Sequence, residues 1–267
     1  MMRAIRAEFL KLKGSKVPLW TALAVLAYAT IALAGGFAIK GGVFADGLTD
    51  AGGAWEQAIA LGYYEPTWEN LLRQNVQGVA GGMGSLLFGF VTAYVFGRER
   101  KEGTDATLLT APVQRRDFAI AKMVVVLAWV LVLTLFSFAI QTLGFAAIGV
   151  TGFSWDLVFT SLGQTLKAML ILSSMLPLIG FVALLGKPGY LKPMLFTALV
   201  LSQSNMFVTT DKAHLYPPAM PVLIDGAAWL PVVTDRLTPV SWAIAVAVFV
   251  VSLAALVWKF QQTNDAK

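Results

Sequence analysis

Met123-Val-Val-Val-Leu-Ala-Trp-Val-Leu-Val-Leu-Thr-Leu-Phe-Ser-Phe-Ala-Ile-Gln141-Thr-Leu-Gly144-Phe-Ala-Ala-Ile-Gly149-Val-Thr-Gly152-Phe-Ser-Trp155 runs for 33 residues without Asp, Glu, Lys or Arg. A bilayer core needs about 20 apolar residues per helix, so the run exceeds one span. Glycines at 144, 149 and 152 weaken helix continuation in its last third. The helix is therefore expected to leave the membrane between Gly144 and Gly152. Working outward, five further charge-free runs appear: Val17 to Ile39, Gln74 to Gly97, Ala168 to Gly186, Pro193 to Thr210 and Leu237 to Trp258. The expected fold is an all-α membrane protein forming one transmembrane domain over 1-267. Its six spans fall at 18-39, 76-97, 123-146, 168-186, 193-210 and 239-258.

Composition agrees. Residues AVILMFWYC make up 57% of the 267-residue chain and charged residues 13%, with a mean hydropathy of +0.71. A soluble domain holds roughly 45–50% apolar residues even with glycine counted, and about 25% charged ones, so disorder and nucleic-acid binding are poor readings. No cysteine is present, which removes disulfides, thiolate metal sites and cysteine nucleophiles. A zinc site or a serine triad would have to use the single histidine, His214, beside Leu215-Tyr216-Pro217-Pro218. An intramembrane enzyme is accordingly the weakest reading.

Charge position gives orientation. Six spans place both termini on one side, and fifteen of the twenty Lys and Arg fall in the N-terminal arm, the 98–122 loop, the turn at Lys187 and Lys192, and the tail. The alternate loops hold Lys40, Arg73, Lys167, Lys212 and Arg236 with nine of the fifteen acidic residues. By the positive-inside rule both termini are expected in the cytoplasm. The first apolar run is too long for a signal peptide and is expected to remain as a span.

Arg3 to Lys13 reads as an interfacial helix, with Ile5, Phe9 and Leu12 on one stripe and basic residues toward anionic headgroups; a plain basic anchor is the alternative. Gly78-x-x-x-Gly82 and Gly81-x-x-x-Ser85-x-x-x-Gly89 predict close helix packing in the second span. Pro177 predicts a kink in the fourth. The span middles hold no ionisable group, which argues against a proton-driven pump. Gln141 and the Ser202, Gln203, Ser204 and Asn205 cluster could line a translocation path or simply hydrogen-bond between helices. Trp55, Tyr63, Tyr64 and Trp68 in the first external loop are expected at headgroup level, and 219–233 reads as re-entrant or interfacial.

The segment between the second and third spans, Phe96-Gly-Arg-Glu99-Arg-Lys-Glu-Gly103-Thr104-Asp-Ala-Thr-Leu108-Leu109-Thr-Ala-Pro112-Val-Gln-Arg115-Arg-Asp-Phe-Ala-Ile-Ala-Lys122, carries most of the local information. Thr104 can N-cap a short helix ending before Pro112, and the next helix starts at Arg115 to Asp117. Leu108 and Leu109 then form either a small apolar knob suited to a partner's groove or a headgroup-facing pair. Glu99-x-x-x-Gly103-Thr104 with Leu108-Leu109, Pro112, Arg115 and Lys122 resembles the ABC type-2 exporter permeases. Glu8-Phe9-Leu10-Lys11-Leu12-Lys13 resembles their bacitracin-exporter and lantibiotic-immunity branch.

The resemblance implies a bacterial plasma-membrane permease paired with a second permease subunit, identical or paralogous, and with cytosolic ATPase subunits. Thr104 to Pro112 would be the coupling helix, Glu99 and Arg115 would brace its ends, and Lys122 would sit at the membrane boundary. ATP and magnesium would be held by the partner, leaving no cofactor in this chain. Independently, the Gly186-Lys187-Pro188 sequence is the single Gly-Lys pair, and it is no Walker motif. The expected function is outward movement of an amphipathic or hydrophobic compound, such as a peptide antibiotic. The alternative is a non-transport scaffold or sensor whose 98–122 loop docks a regulatory protein.

Overall fold

The computed structural model describes residues 1–41, 65–104, 114–207, 210–224 and 236–262. Within them the chain forms α1 (Met2–Lys13), α2 (Val17–Lys40), α3 (Trp68–Ala80), α4 (Gly82–Glu102), α5 (Arg115–Ile148), α6 (Trp155–Ser173), α7 (Leu176–Ala183), α8 (Leu191–Phe207) and α9 (Pro239–Gln262). Short 3₁₀ turns at Ala213–Leu215 and Met220–Leu223 lie between α8 and α9. No strand is present among the described residues, and a lone bridge joins Thr67 to Thr151.

Among the described residues five segments are long and apolar enough to cross a membrane: Val17–Ala38, Trp68–Glu102, Arg115–Ile148, Trp155–Ala183 and Pro239–Gln262. The remaining expected span coincides with α8, a helix of 17 residues. At about 1.5 Å per residue such a helix is slightly shorter than a hydrocarbon core of about 30 Å.

Helix α5 is the axis of the bundle. It starts at Arg115, as the sequence predicts, and ends at Gly149, whose φ of 67° terminates it inside the expected exit region. Helices α1, α2, α3, α4, α6 and α9 all pack against it, while α4 forms the second hub, touching α3, α7 and α8. The main core combines Phe88, Val91 and Phe96 of α4, Val126, Val130 and Leu133 of α5, Ile171 of α6, Leu176 of α7 and Leu256 of α9. Apolar burial does not drive helix association in lipid, so close contacts at small residues matter more. A Cβ at Gly78 would lie 2.2 Å from the Tyr28 hydroxyl and one at Gly89 would lie 2.6 Å from the Thr197 side chain, as the glycine spacing predicts, whereas Gly82 faces open space.

The structure corrects two element boundaries. The second span is two helices, because Gly81 is extended (φ −82°, ψ −164°) and separates α3 from α4. A Cβ at Gly84 would lie 2.3 Å from the Val79 carbonyl oxygen, so only glycine permits this bend. The fourth span begins at Trp155 rather than at 168. Lys167, taken as a span limit, is an exposed residue within α6, where a lone lysine can extend its stem along apolar surface. That span is interrupted where Pro177 predicts a kink: α6 ends at Ser173, and Pro177 lies in the first turn of α7.

Two segments outside the expected spans pack against the bundle. Trp68 is buried at the start of α3, its ring 4.9 Å from Phe153; Trp55, Tyr63 and Tyr64 lie outside the described residues. Met220, Leu223 and Ile224 are buried against the bundle, and residues 225–233 lie outside the described part.

Candidate functional site

Helix α1 forms as predicted. Ala4, Glu8 and Leu12, spaced four residues apart, are buried, while Phe9 is 40% exposed. Of the stripe Ile5, Phe9 and Leu12, Leu12 is buried, Ile5 is half-buried and Phe9 is exposed. Glu8 turns inward because it pairs with a buried lysine, and exposing it would leave that lysine one carboxylate short.

That lysine is Lys122, on the third turn of α5, with 2% of its side chain exposed. Its ammonium donates to Glu8 Oε2 at 3.0 Å and to the Val95 carbonyl at 3.2 Å, and lies 3.0 Å from Glu99 Oε2. Lys11 donates to Glu8 Oε1 at 2.7 Å and to Glu99 Oε1 at 2.6 Å. Each carboxylate thus bridges both ammonium groups, and the four residues close a neutral ring joining α1, α4 and α5. Three acceptors satisfy the three Lys122 protons. Lys11, on α1, has its pKa raised: burial lowers it, but the Glu8 and Glu99 carboxylates more than offset that.

Both ends of the 98–122 loop emerge beside this ring. Glu99 lies in the last turn of α4, which ends at Gly103 with φ 69°, a left-handed conformation favouring glycine. The Thr104 amide closes the turn by donating to the Glu99 carbonyl at 3.0 Å, an arrangement that satisfies otherwise orphaned carbonyls. Arg98 donates to the Lys11 carbonyl at 3.1 Å and pairs with Glu102 at 3.1 Å. On the far side α5 starts at Arg115, whose guanidinium donates to the Gln261 carbonyl of α9 at 2.8 Å. Among the described residues the site shows no nucleophile–base geometry; it is an electrostatic joint where three helices meet the loop.

The model of the ABC-2 family transporter proteins matches residues 4–204, which include most of α1, the ring and the whole loop. The chain belongs to the ABC-2 transporter family. It is 31% identical over 183 residues to the bacitracin transport permease protein BCRB of Bacillus licheniformis, covering 68% of this chain and 86% of that protein. No solved structure matches it.

For this ABC-2 permease, the structure brings Glu99 and Lys122 together and sets Gly103, Thr104 and Arg115 at the loop's two ends. Leu108, Leu109 and Pro112 lie outside the described residues, as does the helix that Thr104 was expected to cap. Gln141 is buried on α5 and donates to Ser137 Oγ at 2.8 Å along its own helix. Ser202, Gln203 and Asn205 fall on α8, which packs on α4 and α7; their side chains are outside the described part. Sequence reasoning did not assign Glu8 and Lys11 to the site. The usable signal was Glu8 itself, the single acid in a basic arm and in register with Ala4 and Leu12.

Proposed function

We propose that this ABC-2 protein is the permease subunit of an ATP-driven exporter, energised through its 98–122 loop by a separate ATPase. The observation that carries the reading is the buried ring: a family permease without a Walker motif devotes its most buried charges to fastening both ends of this loop to the bundle. A solvated turn does not require such bracing. Buried charge is costly, and its best-attested use is to specify one arrangement.

In this reading α8 is the sixth span, both termini are cytoplasmic, and Thr104 to Pro112 form the coupling helix whose Leu108 and Leu109 enter a groove on the ATPase. ATP and magnesium bind to that partner, and a second permease subunit completes the transporter. Gln141, Ser202, Gln203 and Asn205 line the path. The cargo is an amphipathic or hydrophobic compound, a class that includes the bacitracin named for the relative.

Replacing Leu108 and Leu109 together with Asp tests the reading. The purified variant should keep the wild-type thermal midpoint, because the change lies outside the braced ring, but lose co-isolation with the ATPase. Unchanged complex formation and ATP hydrolysis would remove the coupling assignment. If the wild-type chain fails to co-isolate with any ATPase, the scaffold or sensor reading takes its place.

A further inference from the structure

The arginines flanking the loop end on backbone carbonyls of other helices. Arg100, in the last turn of α4, donates through Nη1 to the Leu184 carbonyl at 2.7 Å and through Nη2 to the Gly186 carbonyl at 2.8 Å, at the C-terminal end of α7. Arg115, in the first turn of α5, donates to the Gln261 carbonyl in the last turn of α9. The final carbonyls of a helix lack partners within it and carry the negative end of its dipole, so a guanidinium there is doubly favoured. Lys101 reinforces the first contact, its ammonium 4.4 Å from the centre of the Tyr190 ring in the turn that opens α8. Tyr190 also lies 5.8 Å from Tyr94 of α4.

The two gripped ends belong to one pair of helices. Helices α7 and α9 pack directly on each other, and at their contact Gly180 admits Phe96 of α4 and Leu256 of α9, either of which would lie within 3.4 Å of an added Cβ. One end of the loop therefore holds α7 and the other holds α9.

We propose that Arg100 and Arg115 are positioning residues that pass displacement of the 98–122 loop to the α7–α9 pair and to the turn opening α8. The proposal rests on the reading that an ATPase moves this loop. Its chemistry predicts unequal tolerance. Arg100 spans two carbonyls with a planar fork, which a lysine ammonium cannot reproduce, whereas the Arg115 bond to the Gln261 carbonyl is one that a lysine can also donate.

The chain has no cysteine, so nitroxide labels on introduced cysteines at Lys187 and Gln262 are unique. The test uses the full chain with its ATPase in lipid nanodiscs and measures the distance between these labels with and without ATP and vanadate, for wild type and for Arg100→Gln, Arg100→Lys, Arg115→Gln and Arg115→Lys. Amide hydrogen exchange over 184–192 and 256–262 is followed in parallel. The wild-type distance should change on vanadate trapping. Arg100→Gln, Arg100→Lys and Arg115→Gln should lose most of that change with the ATPase still bound, and Arg115→Lys should restore it. Exchange should rise about tenfold for each charge-assisted hydrogen bond lost, over 184–192 for the Arg100 variants and over 256–262 for Arg115→Gln. A wild-type distance change that persists in both glutamine variants overturns the proposal, as does a wild-type complex showing no change. Failure of the wild-type chain to bind any ATPase instead overturns the reading beneath it.

Discussion

Lys122 decides whether the ring is a joint or an ornament. A lysine with 2% of its side chain exposed pays a large desolvation cost, offset here by two carboxylates and a carbonyl. Lys122→Met leaves two carboxylates sharing Lys11, and the variant should lose about 3–5 kcal/mol of stability in a detergent unfolding titration. Adding Glu8→Gln should recover part of that loss, because it removes one of the two stranded charges. Strict additivity of the two substitutions would show that Glu8 and Lys122 do not interact. The raised pKa of Lys11 sets the alkaline behaviour. Its contribution is fully present below the ordinary lysine value of 10.5 and is lost as pH rises through the higher folded value. Wild type should thus lose stability in the alkaline range above pH 10.5, and Lys11→Met should flatten that decline.

Among the elements, the bend between α3 and α4 yields the sharpest contrast. Gly84→Ala places a Cβ 2.3 Å from the Val79 carbonyl oxygen, which is backbone and cannot swing aside, whereas a Cβ at Gly82 meets nothing within 4 Å. Thermal unfolding should show Gly84→Ala destabilised by about 1–3 kcal/mol, and Gly82→Ala neutral or stabilised by up to about 1 kcal/mol. The same bend marks the limit of sequence reading. Charge-free runs located α2, α5 and α9 well, because a continuous apolar helix leaves a continuous signal. They could not locate the break at Gly81, since a glycine in a small-residue stripe reads equally as a packing surface and as a bend. They also took Lys167 as a boundary, because a count of charges ignores which way a side chain points. At the site, Glu99 and Lys122 were legible as loop flanks. Their closure into a ring depends on the rotation of α1, which is fixed by a contact across 114 residues of chain.

At the scale of the whole molecule, the ring, the arginine contacts and most of the basic charge gather at one end of the bundle, where α1, the loop and the α7–α8 turn meet. Lys40 stands at the opposite end of α2 and donates to the Ile148 carbonyl that closes α5. In the proposed orientation, single cysteines at Lys13 or Lys187 should react with a membrane-impermeant maleimide only in inside-out vesicles. Labelling of either from intact cells would invert the topology.

In the proposed transporter an ATPase drives this permease through the loop that the ring braces. A photoreactive amino acid at Leu108 or Leu109 in the assembled membrane complex tests this coupling. A covalent adduct between this chain and the ATPase subunit is expected at both positions, with a residue at exposed Leu143 on α5 as the non-reacting control. Cross-linking of positions 108 and 109 to lipid alone, with the ATPase present and hydrolysing ATP in the complex, would contradict it.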